Sequence, residues 1–174
     1  MPDALEEYQM EHGGQEEEMS HDHDPDGFWR TTIPEGTQIL TMANNGNCFF
    51  RSISDQLDHD HGAGHEYIHY QITNHIPRNG DEFKDILLMR DDDEEITDLD
   101  SYLHKMRQNG EWGGPPKVYA ASWFYKVDIT IYSKEYAGTG GLLIFKADCL
   151  KGNSEMPCPM WHILYHDNKH YNSV

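Results

Sequence analysis

Basic side chains are scarce in this sequence: 13 Lys and Arg stand against 31 Asp and Glu, a formal net charge of −18 with His neutral. Such a chain repels a phosphate backbone, which sets nucleic acid aside as a main partner and favours a protein with a basic face. Cysteine is scarcer still. Cys48, Cys149 and Cys158 are too few, and odd in number, for a disulfide framework, which points to a reducing compartment, the cytoplasm or the nucleus. No apolar run approaches the roughly 18 residues of a membrane-spanning helix. The opening MPDALEEYQM has neither the basic flank nor the apolar stretch of a signal peptide. What remains is 174 residues, enough for one domain or at most two, of which 37% are hydrophobic and 11% aromatic. Mean hydropathy is −0.80, so the chain is polar yet able to fill one core.

The charge is unevenly spread. Residues 1–26 hold ten acidic side chains and no Lys or Arg. A segment so poor in large apolar residues cannot bury enough surface to offset its ordering entropy, so residues 1–27 read as a disordered acidic tail. The domain is expected over 28–174, opening near Phe28 and Trp29. A second acidic block, Asp91 to Glu95, reads as a solvated loop or helix start. This block and the His59–Gly64 segment are the loops expected to meet a substrate.

Within the domain, Thr37 to Ala43 suits a short strand or extended segment, and Asn44 to Asn47 a turn. Phe49, Ile53 and Leu57 recur at helical spacing over Cys48–Leu57, and Ile68, Ile72 and Ile76 do so over Glu66–Ile76, with Pro77 as the stop. Phe83–Met89 and Leu99–Arg107 are shorter helical candidates. Pro115-Pro116 is placed to open a helix through Lys126. Strands are expected at Asp128–Tyr132, Leu142–Phe145 and Trp161–Tyr165, with a tight turn at Asp167-Asn168 leading into Lys169–Val174. Helices come mostly first and strands mostly last, an α+β or three-layer α/β/α pattern.

Cys48 follows a Gly-containing turn and opens an amphipathic helix. Unpaired N–H groups and the dipole at that end favour an anion, so the thiol pKa is expected to fall. The same turn can aim backbone N–H groups, that of Cys48 included, at a developing oxyanion, with Gly46 relieving the steric limits of the loop. Against this stands the ordinary fate of a lone cysteine, a small buried hydrophobe. A base is available in HYNSV: His170 and Asn172 lie two apart on one face of the expected strand. Asn172 could accept from one ring nitrogen and leave the other facing Cys48, although eleven other histidines compete for notice.

A second constellation is His65-Glu66-Tyr67-Ile68-His69, the helical H-E-x-x-H pattern in which two histidines one turn apart bind zinc and the glutamate activates water. His75 sits at the third-ligand position of a longer version of that pattern. That version needs a helix break where this chain has Ile72, and the Ile68, Ile72 and Ile76 stripe predicts an unbroken helix. Twelve His and fourteen Glu also make the pattern easy to reach by chance.

The segments NNGNCFFRSISDQL, GEWGGPPKVYAASWFYKVDITIY and HYNSV, in that order, resemble the ovarian tumour (OTU) family of cysteine deubiquitinases from about Thr37 to Val174. The resemblance implies a papain-like α/β/α fold with a small, mostly antiparallel sheet flanked by helices. It also implies thiol-dependent hydrolysis of isopeptide bonds at the C-terminal glycine of ubiquitin. The family nucleophile maps onto Cys48, its base onto His170 and its orienting residue onto Asn172. Asn45, Gly46 and Asn47 map onto the oxyanion loop, and Trp112 and Trp123 onto core positions. The expected partner is ubiquitin, a polyubiquitin chain or a ubiquitin-like modifier, handled by a monomer without metal or cofactor. Asn45 stands where the family has Asp, keeping hydrogen bonds but not the charge. That departure raises the alternative of a non-cleaving ubiquitin-binding module; the zinc protease using His65, Glu66 and His69 is a further one.

Overall fold

The computed structural model describes residues 27–78, 81, 98–111, 114–147, 157–166 and 170–174. The tail through residue 26, the expected helix at 83–89, the acidic block 91–95, Trp112, Cys149 and the turn at 167–168 therefore lie outside the described residues.

Chain order runs α1 (Phe28–Thr32), α2 (Cys48–Asp58), α3 (His65–Arg78), α4 (Leu99–Met106) and α5 (Pro115–Tyr125). The strands follow as β1 (Asp128–Tyr132), β2 (Leu142–Phe145), β3 (Met160–His166) and β4 (His170–Ser173), with a 3-10 segment, Lys134–Thr139, between β1 and β2. The sheet order is β2-β1-β3-β4. β1 pairs antiparallel with β2, β3 antiparallel with β4, and the central β1–β3 pair is parallel. This is the mostly antiparallel sheet expected from the sequence, but a mixed one.

Alternation along the strands assigns the two faces. Ile129, Ile131, Phe145, Ile163, Tyr165 and Tyr171 join the large core together with Phe49, Phe50 and Ile53 of α2, Ile68, Ile72 and Ile76 of α3, and Val118, Ala120 and Ala121 of α5. On the opposite face Tyr132 and Leu164 pack with buried Trp29 of α1. Trp123 is half-buried against the large core. The isoleucine stripe holds α3 in one piece through the position where a zinc-binding chain would break, and the helix carries one residue past Pro77.

Helix ends follow local chemistry. Asp98 caps α4, its Oδ1 accepting from Ser101 N–H at 2.8 Å. Gly114 precedes the Pro at the head of α5. α2 ends on His59, a non-glycine residue with φ of 53°. The loop after it is fixed by Asp60, whose carboxylate accepts from Ser54 Oγ at 2.6 Å and from the N–H groups of Gly62 and Gly64 at 2.8 Å each. Although burial alone would raise it, these bonds hold the Asp60 carboxyl below the usual range. The His59–Gly64 segment is thus an internally tied connector between α2 and α3.

The stretch expected as a strand before the turn pairs at one point only, Leu40 with Ser173 on the outer edge of β4, its N–H donating at 2.9 Å. This contact carries the chain past β4 and delivers the 44–47 turn to the head of α2. Among the described residues no helix is long and apolar enough to cross a membrane. Cys48 takes part in no disulfide.

Candidate active site

The turn that presents Cys48 is built by its own polar groups. The Asn45 side chain accepts from Asn47 N–H at 3.0 Å, and the Asn45 carbonyl accepts from Cys48 N–H at 3.1 Å. Asn47 then ties the turn to the chain beyond α4. Its Nδ2 donates to Asn109 Oδ1, and its Oδ1 accepts from Gly110 N–H, both at 3.1 Å. Gly46 lies so close to this second loop that a Cβ there would overlap the Gly110 carbonyl. Glycine is therefore demanded by space, not by a positive φ, since Gly46 is absent from the left-handed residues. Two N–H groups expected to face an oxyanion, those of Asn47 and Cys48, are engaged inside the turn. The Gly46 N–H makes no hydrogen bond among the described residues.

Cys48 heads α2 at 1% exposure. Tyr171, on edge strand β4, donates its N–H to Cys48 Sγ at 3.4 Å across 123 positions of sequence. The Tyr171 ring packs against Phe49 with centroids 5.3 Å apart, and α2 lies along β4. The residue before Tyr171 is His170. The helix head and the last strand, proposed from sequence to meet, are in contact.

Burial pushes the Cys48 thiol above the ordinary cysteine value. The N–H groups of Tyr171, Phe49 and Cys48 and the charge of Arg51 pull the other way without prevailing. The expected fall in pKa is therefore overturned: the helix head is present, but the desolvation imposed by Phe49 and β4 outweighs it. Cys48 rests as a thiol and needs a base at the moment of attack.

His170 and Asn172 share the face of β4 turned toward Trp29, and both are buried. The Asn172 amide makes two hydrogen bonds, neither of them to His170. Its Oδ1 accepts from Met42 N–H at 2.9 Å, and its Nδ2 lies 2.9 Å from His166 Nε2. His166 stands opposite His170 in the β3–β4 register. Sequence reasoning missed Met42, His166 and the Asn109-Gly110 loop. The spacing of His166 and His170 around Asp167-Asn168 was the available signal, because a short hairpin places them as cross-strand partners.

The H-E-x-x-H histidines are occupied elsewhere. His65 Nδ1 contacts the Gly62 carbonyl at 3.0 Å, His69 Nε2 the Met106 carbonyl, and His75 packs edge-on to Phe124. The His69 ring stacks on Phe50, 4.3 Å between centroids. Among the described residues no three His, Cys, Asp or Glu side chains cluster as a metal site. Both motif histidines instead brace α3 against its neighbours.

A thiol at a helix head, an adjoining tied turn and a histidine on a neighbouring edge strand together define the papain-like class of cysteine protease site. The comparison with known sequences narrows this further. The OTU-like cysteine protease family profile matches residues 43–171, and the chain belongs to that family. It is 29% identical over 139 residues to OVARIAN TUMOR DOMAIN-containing deubiquitinating enzyme 7 of Arabidopsis thaliana, covering 80% of this chain and 33% of that protein. It is 24% identical over 141 residues to ubiquitin thioesterase otu2 of Schizosaccharomyces pombe, covering 80% and 45%. The chain thus spans less than half the length of these curated relatives. Among solved structures, the OTUD1 OTU domain superposes with a TM-score of 0.64 at 18% identity, over 90% of this chain and 95% of that one. An OTU deubiquitinase from Wolbachia pipientis, solved bound to ubiquitin, gives 0.56 at 16% identity over 80% and 96%. Both likenesses establish the fold.

Proposed function

We infer that the protein is a deubiquitinase, a thiol isopeptidase that releases ubiquitin from conjugates. The observation carrying this reading is the contact of Cys48 Sγ with the strand that bears His170, inside a family whose similar members are named as deubiquitinating enzymes and ubiquitin thioesterases. His170 takes the Cys48 proton as sulfur attacks the carbonyl carbon of the terminal ubiquitin glycine. The C–S bond forms and the oxyanion turns toward the Gly46 N–H. The C–N bond then breaks as His170 passes the proton to the lysine amine. Water, deprotonated by His170, cleaves the thioester and returns the thiol. Asn172 ties β4 to Met42 and His166 and makes no direct bond to the base. Asn45 keeps the turn closed through its side-chain oxygen, without the family's charge. Cytoplasm or nucleus is the setting that keeps Cys48 reduced.

Defined di-ubiquitins and a ubiquitin C-terminal amide test the reading together. Wild type should cleave them, Cys48→Ala should not, and His170→Ala should lose several orders of magnitude in kcat/KM. Cleavage that survives Cys48→Ala but stops with a zinc chelator would overturn it.

A further inference from the structure

We propose that His166 is a positioning residue of this site, a neutral imidazole that accepts a hydrogen bond from Asn172 and so fixes the amide beside His170. The inference rests on the reading of Cys48 and His170 as nucleophile and base. Its geometry begins at Met42. A backbone N–H can only donate, so the Asn172 atom facing Met42 N at 2.9 Å is the oxygen. The Asn172 NH2 group then faces His166 Nε2 at 2.9 Å, and that nitrogen must accept. His166 therefore carries its proton on Nδ1.

Protonation of His166 would reverse this chain of bonds. A second N–H would meet the Asn172 NH2 group donor to donor, and the amide cannot flip without setting its NH2 against Met42 N–H. The position of His166 adds a charge effect. Its ring meets that of His170 edge-on with centroids 5.2 Å apart, and Trp29 closes over it at 6.5 Å. An imidazolium at His166 would repel the imidazolium that His170 becomes during attack. Among the described residues, the titratable groups on this face also include His170, Tyr132, whose hydroxyl pairs with His162 Nδ1 at 2.8 Å, and Lys134, whose ammonium lies 5.6 Å from the Trp29 ring centroid.

Two measurements on the full chain decide the matter. Nitrogen-15 imidazole NMR near pH 7.5 should show His166 as the Nδ1–H tautomer; an Nε2–H tautomer would overturn the proposal. This spectrum needs no substrate, so it decides the His166 arrangement even if the protein proves inactive on ubiquitin, a result that would instead overturn the proposed function. In turnover of a ubiquitin C-terminal amide, His166→Leu should lower kcat about tenfold or more with KM little changed. His166→Gln, whose side-chain oxygen accepts the same bond without titrating, should recover most of that loss. Equal kinetics for the Leu and Gln variants would contradict the assignment.

Discussion

Cys48 is held by contacts that a linear reading supplies only in part. The turn before it was legible, because Asn-Asn-Gly-Asn favours tight local bonding, and Asn45 and Asn47 supply it. The reason for Gly46 was not. Its need arises from the Gly110 carbonyl, 64 positions away, and no local pattern encodes that approach. Gly46→Ala should therefore leave the fold cooperative but shift the turn, lowering kcat/KM at least about tenfold while costing about 1–3 kcal/mol in urea unfolding. Unchanged turnover would mean that the turn has slack the structure does not show. Asn45→Asp should act differently. Asp keeps the oxygen that accepts from Asn47 N–H, so kcat/KM should stay within a few-fold of wild type. A large rise would show that the natural turn is compromised. The thiol pKa was misjudged from sequence because helix position is local, whereas the burial that dominates it is supplied by Phe49 and β4.

Helices α2, α3, α4 and α5 were readable within a residue or two because their apolar spacing and end signals agree. The strands were readable as segments, but not the parallel pairing of β1 with β3, since β-branched runs specify a strand and not its neighbour. α5 carries a feature that apolar periodicity cannot announce. Lys117 is fully buried, its Nζ 4.6 Å from the Phe50 ring centroid and donating to the Glu111 carbonyl at 3.2 Å. Burial brings its pKa down to about 7, opposed by Glu111 and aided by Lys105. The unfolded chain, with an ordinary lysine, then binds more protons between that value and about 10.5, so stability rises with pH across the window. Between pH 7 and pH 9 the wild type should gain about 2–3 kcal/mol that Lys117→Met lacks, read from urea midpoints. Parallel profiles for the two proteins would show that Lys117 is not desolvated as described.

At the scale of the molecule, the fold brings together parts that the chain keeps far apart. The head of α2 and the edge of β4 meet across 123 residues, Gln56 of α2 grips the Val174 carbonyl at 2.8 Å, and Leu40 pairs with Ser173. The family signature was legible because its first and last segments contain Cys48, Gln56, Tyr171 and Val174, while its middle one opens at Gly110, whose carbonyl lies against Gly46. The H-E-x-x-H pattern was a coincidence of composition, its histidines spent on backbone carbonyls. The central claim is that Cys48 is the nucleophile toward the ubiquitin C-terminus. Intact-mass analysis of the protein incubated with ubiquitin bearing a C-terminal electrophile tests it most directly. A one-to-one covalent adduct mapped to Cys48 is expected, absent in Cys48→Ala and strongly slowed in His170→Ala. An adduct on another residue, or none with a folded wild-type protein, would contradict it.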